Sequence, residues 1–300
     1  MFENNKILIL GFAKSGYEAA KVLIKRGNEV ILNDSKTEDK IDKDQVKELC
    51  DLGVKLVFGS HPDDLLDNTF DYLVKNPGVP IDHKYVLKAR ELGVEVINEV
   101  ELAYRLLPKG VKIVGITGTN GKTTTTTLTY EIVKAYYGDR THLAGNIGFP
   151  LSGVVESIKE NDILVMEIGV PQLHDMYDFK FDISVLTNIF EAHLDMFKTR
   201  EYYNENKKRI FRHHTKDDIA IINKGNLDAY NLTKDVPSTI KYFSSVEQID
   251  GCYIKDDFIY YYDEKIINVN DIRIKGVHNY ENRARRGWRR GSRRTPGGRA

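Results

Sequence analysis

The run Gly115-Ile-Thr-Gly-Thr-Asn-Gly-Lys-Thr-Thr124 constrains this chain more than any other feature, because it joins an apolar stretch, Val111 to Ile116, to a helical pattern through a glycine-rich turn ending in Lys-Thr. A strand, such a turn and a helix together make a phosphate-binding loop. Glycines let backbone N–H groups converge on phosphate oxygens, Lys122 reaches the β- and γ-phosphates, the Thr123 hydroxyl is placed to ligate Mg²⁺, and the helix turns its positive end to the anion. The strict G-x-x-x-x-G-K-[ST] spacing requires glycine where Ile116 stands, so the motif is a variant with glycines at 115, 118 and 121. Nucleotide binding is the reading; a chance glycine-rich βα turn is the alternative.

Three hundred residues suggest about two domains, and 41% hydrophobic with 29% charged residues is an ordinary globular composition. The start, Met1-Phe-Glu-Asn-Asn-Lys6, lacks the apolar core and cleavage site of a signal peptide, and no apolar run approaches the roughly 20 residues of a membrane span. A cytoplasmic, monomeric enzyme without membrane insertion is the expectation. Cys50 and Cys252 lie far apart with no metal-ligand spacing and are read as buried small hydrophobes. The formal net charge of zero hides an asymmetry, for the last 18 residues, Arg283 to Ala300, hold eight of the arginines and no acid. This tail breaks sharply with the Lys-, Asn-, Ile- and Tyr-rich composition before it and reads as a non-native junction; with an acidic body behind it, nucleic acid is not the expected partner.

Along the chain, strands are expected at Lys6 to Leu10 and Glu29 to Leu32, with a turn over Gly11 to Gly16 and a helix over Tyr17 to Arg26 between them. Alternation continues through Val54 to Phe58, Tyr72 to Lys75, a helix over His83 to Leu92, Val94 to Ile97 and a helix over Glu99 to Leu106. Such alternation implies a Rossmann-like parallel sheet with helices on both faces. Pro108-Lys-Gly110 then punctuates the chain. The domains expected are 1–108, 109–282 and the tail 283–300. The second is a P-loop-type α/β ATPase domain whose strands Ile163 to Ile168 and Ile183 to Leu186 end near Glu167 and Thr187-Asn188, and whose segment Gly251 to Ile267 reads as a small antiparallel meander.

The first glycine turn, Gly11-Phe-Ala-Lys-Ser-Gly16, has Ala13 in place of the middle glycine of a dinucleotide fingerprint. NAD remains an open reading, but a complete triphosphate loop one domain later makes a diphosphate-bearing substrate more economical. Glu167 closes an apolar strand where a carboxylate can hold Mg²⁺ bridging the phosphates. His193 stands out among the histidines because it follows the Thr187-Asn188 strand end; His61, His83, His142, His174, His213 and His214 read as surface or cap residues. Lys207 and Lys208 sit in a charged helix, Glu201 to Phe211, that composition alone reads as a solvent face.

Taken in order, Gly-Phe-Ala-Lys-Ser-Gly (11–16), Lys-Asn-Pro-Gly-Val-Pro (75–80), the phosphate loop, Ala-Gly-Asn-Ile-Gly (144–148), Thr-Asn with His-Leu-Asp (187–195), Tyr-Asn-Glu-Asn-Lys-Lys (203–208) and Gly-Val-His-Asn-Tyr-Glu-Asn (276–282) resemble the Mur ligases, and within them the branch that adds D-glutamate. The resemblance spans nearly all of residues 1–282. It implies an ATP- and Mg²⁺-dependent peptide-bond ligase of peptidoglycan-precursor synthesis, in which the carboxylate of UDP-N-acetylmuramoyl-L-alanine takes the γ-phosphate and D-glutamate then displaces it. By position it implies that Ser15, Asp34, Ser35, Lys36 and the turn Asn76, Pro77, Gly78 hold the uridine and diphosphate, with Asn146 on the substrate side. Gly118, Thr119, Asn120, Gly121, Lys122, Thr123 and Thr124 would hold the ATP phosphates, and Asn279 and Asn282 would meet adenine. Thr123, Glu167, His193 and a carbamylated Lys207 would serve the metals, with Lys122, His193 and Lys207 catalytic.

Two departures accompany the likeness. After Glu167 the family reads Leu-Ser-Ser-Phe-Gln-Leu where this chain has Ile168-Gly-Val-Pro-Gln-Leu173, which removes two hydroxyls and adds a proline. The family also carries a third domain of about 150 residues, an ordinary domain length, that supplies the D-glutamate site; the expectation is that the arginine tail stands in its place and that this chain alone is inactive. The competing reading is a module that binds nucleotide-sugar and ATP without joining anything.

Overall fold

The computed structural model describes residues 2–190 and 199–272. In chain order the first elements are β1 (Lys6–Leu10), α1 (Lys14–Lys25), β2 (Glu29–Asp34), α2 (Lys43–Asp51), β3 (Lys55–Phe58), β4 (Tyr72–Lys75), α3 (Lys84–Leu92), β5 (Glu95–Asn98) and α4 (Glu99–Tyr104). They build a five-stranded parallel sheet in the order β3-β2-β1-β4-β5. Strand β1 sits at its centre, and Ile7, Leu8, Ile9 and Leu10 are all buried, as a parallel strand covered on both faces requires. The chain leaves β1 toward β2 on one side and returns beside it as β4 on the other. That reversal opens a crevice beyond the carboxyl ends of β1 and β4, where open α/β sheets take their ligands.

Two local features differ from the pattern expected. Helix α1 begins at Lys14, inside the stretch read as a turn, and Gly16 is already helical; a Cβ there would run into the Gly11 carbonyl oxygen. Helix α2 carries too few apolar residues to announce itself, since only Leu49 is buried; the Asp42 carboxylate starts it by accepting from the Asp44 and Gln45 N–H groups at 3.0 Å. Cys50 lies on that helix and is exposed, so the expectation of two buried cysteines holds only for Cys252.

The chain continues as β6 (Lys112–Thr117), α5 (Lys122–Tyr137), β7 (Thr141–Gly145), α6 (Leu151–Val154), β8 (Ile163–Glu167), α7 (Val170–His174), β9 (Ile183–Leu186), α8 (Arg200–Lys208), β10 (Ile219–Asn223), α9 (Leu227–Leu232), β11 (Thr239–Ser244), β12 (Cys252–Lys255), β13 (Phe258–Tyr261) and β14 (Glu264–Asn268). The second sheet runs β14-β13-β12-β11-β10-β9-β6-β8-β7. Strand β6 pairs in parallel with β8 and β9, and parallel pairing continues through β12 before an antiparallel meander closes the edge. Gly115, in the middle of β6, serves packing, since a Cβ there would lie 2.5 Å from the Phe181 ring.

Compactness divides the chain into two units. The first takes residues up to Val111 together with His142–Asp162 and Pro171–Phe179; the second takes Lys112–Thr141, Ile163–Val170 and the described residues from Lys180 onward. Two segments that lie beyond the cut expected after residue 108 therefore pack with the first unit. Helix α4 holds both: the Glu99 carboxylate accepts from the Ser152 N–H and hydroxyl at 2.6 and 2.7 Å, and that of Glu101 accepts from the N–H groups of Tyr177, Asp178 and Phe179 at 3.0–3.2 Å.

His214, read from sequence as a surface or cap residue, is buried in the second unit with its ring nitrogens 2.8 Å from the Ser184 and Ser238 hydroxyls. Burial pushes its pKa down to about 4. The unfolded chain thus binds a proton that the folded one refuses between about pH 6.5 and 4, and stability present above pH 6.5 is lost on acidification through that window, by roughly 3 kcal/mol. Glu99, raised by burial to about 6, contributes with the opposite sign between about pH 4.5 and 6. The His214 share is therefore read as a difference: urea melts of the parent and of His214→Gln should diverge between pH 6.5 and 4, with the parent showing the steeper loss.

Candidate active site

In the second unit, β6 delivers the chain into the glycine loop and α5 carries it away. Gly118 adopts φ +151° and has no room for a side chain, because a Cβ would press on Thr187 Oγ1 and lie 3.2 Å from the Asn188 nitrogen. Gly121, at φ +77°, starts α5 in the left-handed region with no side chain capping the first N–H groups. The loop is held from β9's carboxyl end: the Thr119 N–H donates to the Asn188 carbonyl at 3.0 Å, the Asn120 N–H to Asn188 Oδ1 at 2.8 Å, and the Thr187 hydroxyl to the Asn120 carbonyl at 2.7 Å. Thr187 and Asn188, read from sequence as the end of a strand, thus fix the shape of the loop.

Lys122 folds back over this loop, its Nζ donating to the carbonyls of Gly118 at 3.0 Å and Thr119 at 2.9 Å. Burial holds its ammonium below the ordinary value, and the charge of Glu167 opposes that shift, so the two residues share one electrostatic neighbourhood. Glu167 ends β8, pairs in register with Ile116 and is 1% exposed. Thr123 and Thr124 follow Lys122 in the first turn of α5, with Thr123 exposed.

Lys207 departs most from what composition implied. The charged pattern of Arg200–Lys208 reads as a solvent face, yet Lys207 is 1% exposed, its Nζ 4.6 Å from the centre of the Tyr203 ring. Burial, followed by the charge of Lys122, lowers its pKa to about 7, and no carboxylate pairs with it among the described residues. Tyr203, the first residue of the 203–208 motif but given no role there, turns its hydroxyl to Thr119 Oγ1 at 3.3 Å and so links the buried lysine's helix to the loop. Within that motif, the signal for its place is a helical spacing of four from Lys207.

In the first unit, Ser15 lies in the first turn of α1 and Asp34 closes β2. The Asp34 carboxylate accepts from the Phe12 N–H at 2.6 Å and the Lys36 N–H at 2.8 Å, tying the loop after β1 to the Ser35-Lys36 turn. On the other side of β1, the Asn76 N–H donates to the Leu10 carbonyl at 3.0 Å, and Asn76, Pro77 and Gly78 form a turn closed by the Val79 N–H on the Asn76 carbonyl at 3.0 Å. Asn146 is exposed in the loop after β7. His193, Asn279 and Asn282 lie outside the described residues. Among the described residues no group of three His, Cys, Asp or Glu side chains is gathered as a metal cage. One buried carboxylate, Glu167, with the Thr123 hydroxyl suits Mg²⁺, which takes one or two protein oxygens and completes its shell with phosphate and water.

Two domain families match in tandem: the Mur ligase MurD-like N-terminal domain over residues 5–98 and the Mur ligase middle domain over residues 116–284. The chain belongs to the Mur ligase family. Among curated members, this Mur ligase chain is 43% identical over 284 residues to UDP-N-acetylmuramoylalanine–D-glutamate ligase of Enterococcus hirae, covering 93% of this chain and 60% of that protein. It is 44% identical over 281 residues to the ligase of the same name from Lactococcus lactis subsp. lactis, covering 94% and 61%. The chain thus spans about three fifths of the length of these relatives. Among solved structures it is similar to the UDP-N-acetylmuramate:L-alanyl-γ-D-glutamyl-meso-diaminopimelate ligase of Neisseria meningitides, with TM-score 0.60, 16% identity and coverage of 94% and 93% of the two chains. It is also similar to UDP-N-acetylmuramate-alanine ligase of Thermotoga maritima, with TM-score 0.55, 18% identity and coverage of 93% and 63%. At such identities the likeness is one of fold, and that fold is the α/β architecture described above. No helix among the described residues is long and apolar enough to cross a membrane.

Proposed function

We propose that this chain carries the nucleotide-sugar and ATP sites of a ligase that joins D-glutamate to UDP-N-acetylmuramoyl-L-alanine at the expense of ATP. The observation that carries the reading is the gathering of the glycine loop, Lys122, Glu167 and the buried Lys207 in one unit of a chain 43% identical to ligases of that name. In this reading the substrate carboxylate oxygen bonds to the γ-phosphorus as the bond to ADP breaks. The D-glutamate amine then attacks the acyl phosphate carbon, and phosphate leaves as the amide forms. Anion meets anion in the first step, so the site must neutralise charge on both partners.

The residues divide that work. With the Thr119 and Asn120 N–H groups engaged by Asn188, those of Gly121 and the first turn of α5 face the ATP phosphates, and Lys122, released from the Gly118 and Thr119 carbonyls, pairs with them. Glu167 and Thr123 would hold Mg²⁺, which would supply Lewis-acid neutralisation of the phosphate charge. With a pKa near 7, the Lys207 amine is substantially neutral at physiological pH and able to attack CO₂, forming a carbamate and releasing one proton. The buried amine thereby becomes an anionic carbamate, the group this reading puts on the metal side of the site. His193, Asn279 and Asn282 complete the assignment as a second metal-side group and the adenine-side residues. Ser15, Asp34, Ser35, Lys36, Asn76 to Gly78 and Asn146 take the uridine diphosphate and its sugar.

Phosphate release from ATP tests the reading, measured on this chain and on the same chain extended with the remaining C-terminal part of the Enterococcus hirae relative. Release that needs both UDP-N-acetylmuramoyl-L-alanine and D-glutamate is expected in the extended protein. Absence of release there, with both ligands bound, would leave a binding module and point first to the Gly169-Val-Pro171 departure.

A further inference from the structure

The first unit buries an ion pair that the proposed chemistry does not use. Lys75, the last residue of β4, and Asp175, one residue past the end of α7, have side chains 1% and 0% exposed, with Nζ 3.0 Å from Oδ2. They are a hundred residues apart in sequence and belong to the same compact unit. Asp175 is also approached by His174 Nδ1 at 3.0 Å and by an Arg90 guanidinium nitrogen at 3.6 Å. Burial alone would raise its pKa; the His174 hydrogen bond and the Lys75 charge prevail and hold the carboxyl below its ordinary value, ionised opposite the ammonium.

A fully buried ion pair is a poor way to gain stability. Desolvating two charges offsets most of their attraction, and apolar pairs of similar volume are often as stable or more so. What such a pair supplies is direction. Here the direction is plain, for the same Lys75 Nζ donates to the Val79 carbonyl at 3.1 Å, across the base of the turn whose other closure is the Val79 N–H on the Asn76 carbonyl. Asn76 in turn stands close against the loop after β1: its Cβ lies 2.9 Å from where a side chain on Gly11 would begin, and its Nδ2 is 3.5 Å from the Gly11 carbonyl oxygen. Asp175 is itself held in place, because Asn98 Nδ2 donates to the Gln172 carbonyl at 2.5 Å and the Glu101 carboxylate takes the three N–H groups of Tyr177 to Phe179.

We infer that Lys75 and Asp175 are positioning residues for the nucleotide-sugar site: Asp175 fixes the Lys75 ammonium, and Lys75 fixes the Asn76–Val79 turn in the shape that receives the diphosphate-bearing substrate. The inference rests on the proposed role of that turn. Removing one charge would strand the other in the core, so the informative variant is Lys75→Met with Asp175→Leu, which keeps volume and leaves no buried ion.

Calorimetric titration of the chain with UDP-N-acetylmuramoyl-L-alanine and, separately, with a non-hydrolysable ATP analogue tests it, alongside thermal melts and hydrogen exchange at the Val79 amide. The double variant should melt at or above the parent, exchange faster at Val79, and bind the nucleotide sugar at least tenfold more weakly while its affinity for the ATP analogue stays within twofold. A parent that binds the nucleotide sugar and a double variant that binds it equally well overturns the inference alone. A double variant that melts well below the parent overturns it too, since the pair is then a stability element. A parent that binds the ATP analogue but no nucleotide sugar removes the reading of the turn, and the inference with it.

Discussion

Gly118→Ala is expected to reduce affinity for ATP on the order of 100-fold while leaving unchanged the nucleotide-sugar binding proposed for the first unit. The added methyl would press on the buried Thr187 hydroxyl and approach the Asn188 nitrogen to 3.2 Å, at a backbone φ of +151° that side chains rarely adopt. Neither neighbour can step aside cheaply, because Thr187 and Asn188 are the residues that hold Asn120 and Thr119 in place. The loop must therefore open, and the N–H groups of Gly121 and the first turn of α5 lose their common aim. Titration with a fluorescent ATP analogue measures the loss. An affinity within threefold of the parent would mean that the phosphates are held elsewhere. Gly115→Ala offers a contrast, since its methyl would meet the Phe181 ring in the sheet and should lower stability before it alters the loop.

The second large effect is expected at Lys207, where one substitution should move stability and activity in opposite directions. An unfolded lysine titrates near 10.5 and the folded one near 7, so between these values the unfolded chain binds a proton that the folded chain does not. Stability of the uncarbamylated chain is accordingly least below about pH 7 and rises toward pH 10.5. Lys207→Met removes the buried charge and should be the more stable protein at pH 6 by roughly 3–5 kcal/mol, with the gap closing as the pH approaches 10. The same variant, placed in the extended protein, should lose phosphate release altogether. Denaturant melts in CO₂-free buffer at pH 6, 8 and 10 check the first half; a flat difference across that range would show that Lys207 is charged and solvated in the folded state.

Much of the framework was legible because its signals are local. The strands Lys6–Leu10, Tyr72–Lys75 and Ile183–Leu186 are short apolar runs with clear punctuation, and the structure has them with the same ends. Helix α2 and strands β10 and β11 escaped notice for different reasons. The first is mostly polar, with five of its nine residues charged, and the others lie in a stretch where tertiary pairing decides which segments extend. The site divides in the same way. Glycines 118 and 121 and Lys122 declare themselves through spacing, whereas Lys207 reads as a surface residue until the fold buries it, Tyr203 and Lys75 head family-like motifs that give no sign of their burial, and Asp175 carries no motif at all. Burial is a property of the assembled chain, and a lysine among charged neighbours gives no sequence sign of which face turns inward.

The carboxylate of Glu101 and its three N–H donors are separated by 76 to 78 residues, and the donors come after the whole of β6, α5, β7 and β8. A ribosome adding about 5–20 residues per second makes that interval roughly 4–15 s long. For that time α4 has emerged while its acid is still hydrated, and the nascent first unit lacks the segment that supplies Asp175 to Lys75. Translation thus interleaves the two units: the one begun first is finished only after the glycine loop of the second has been synthesised.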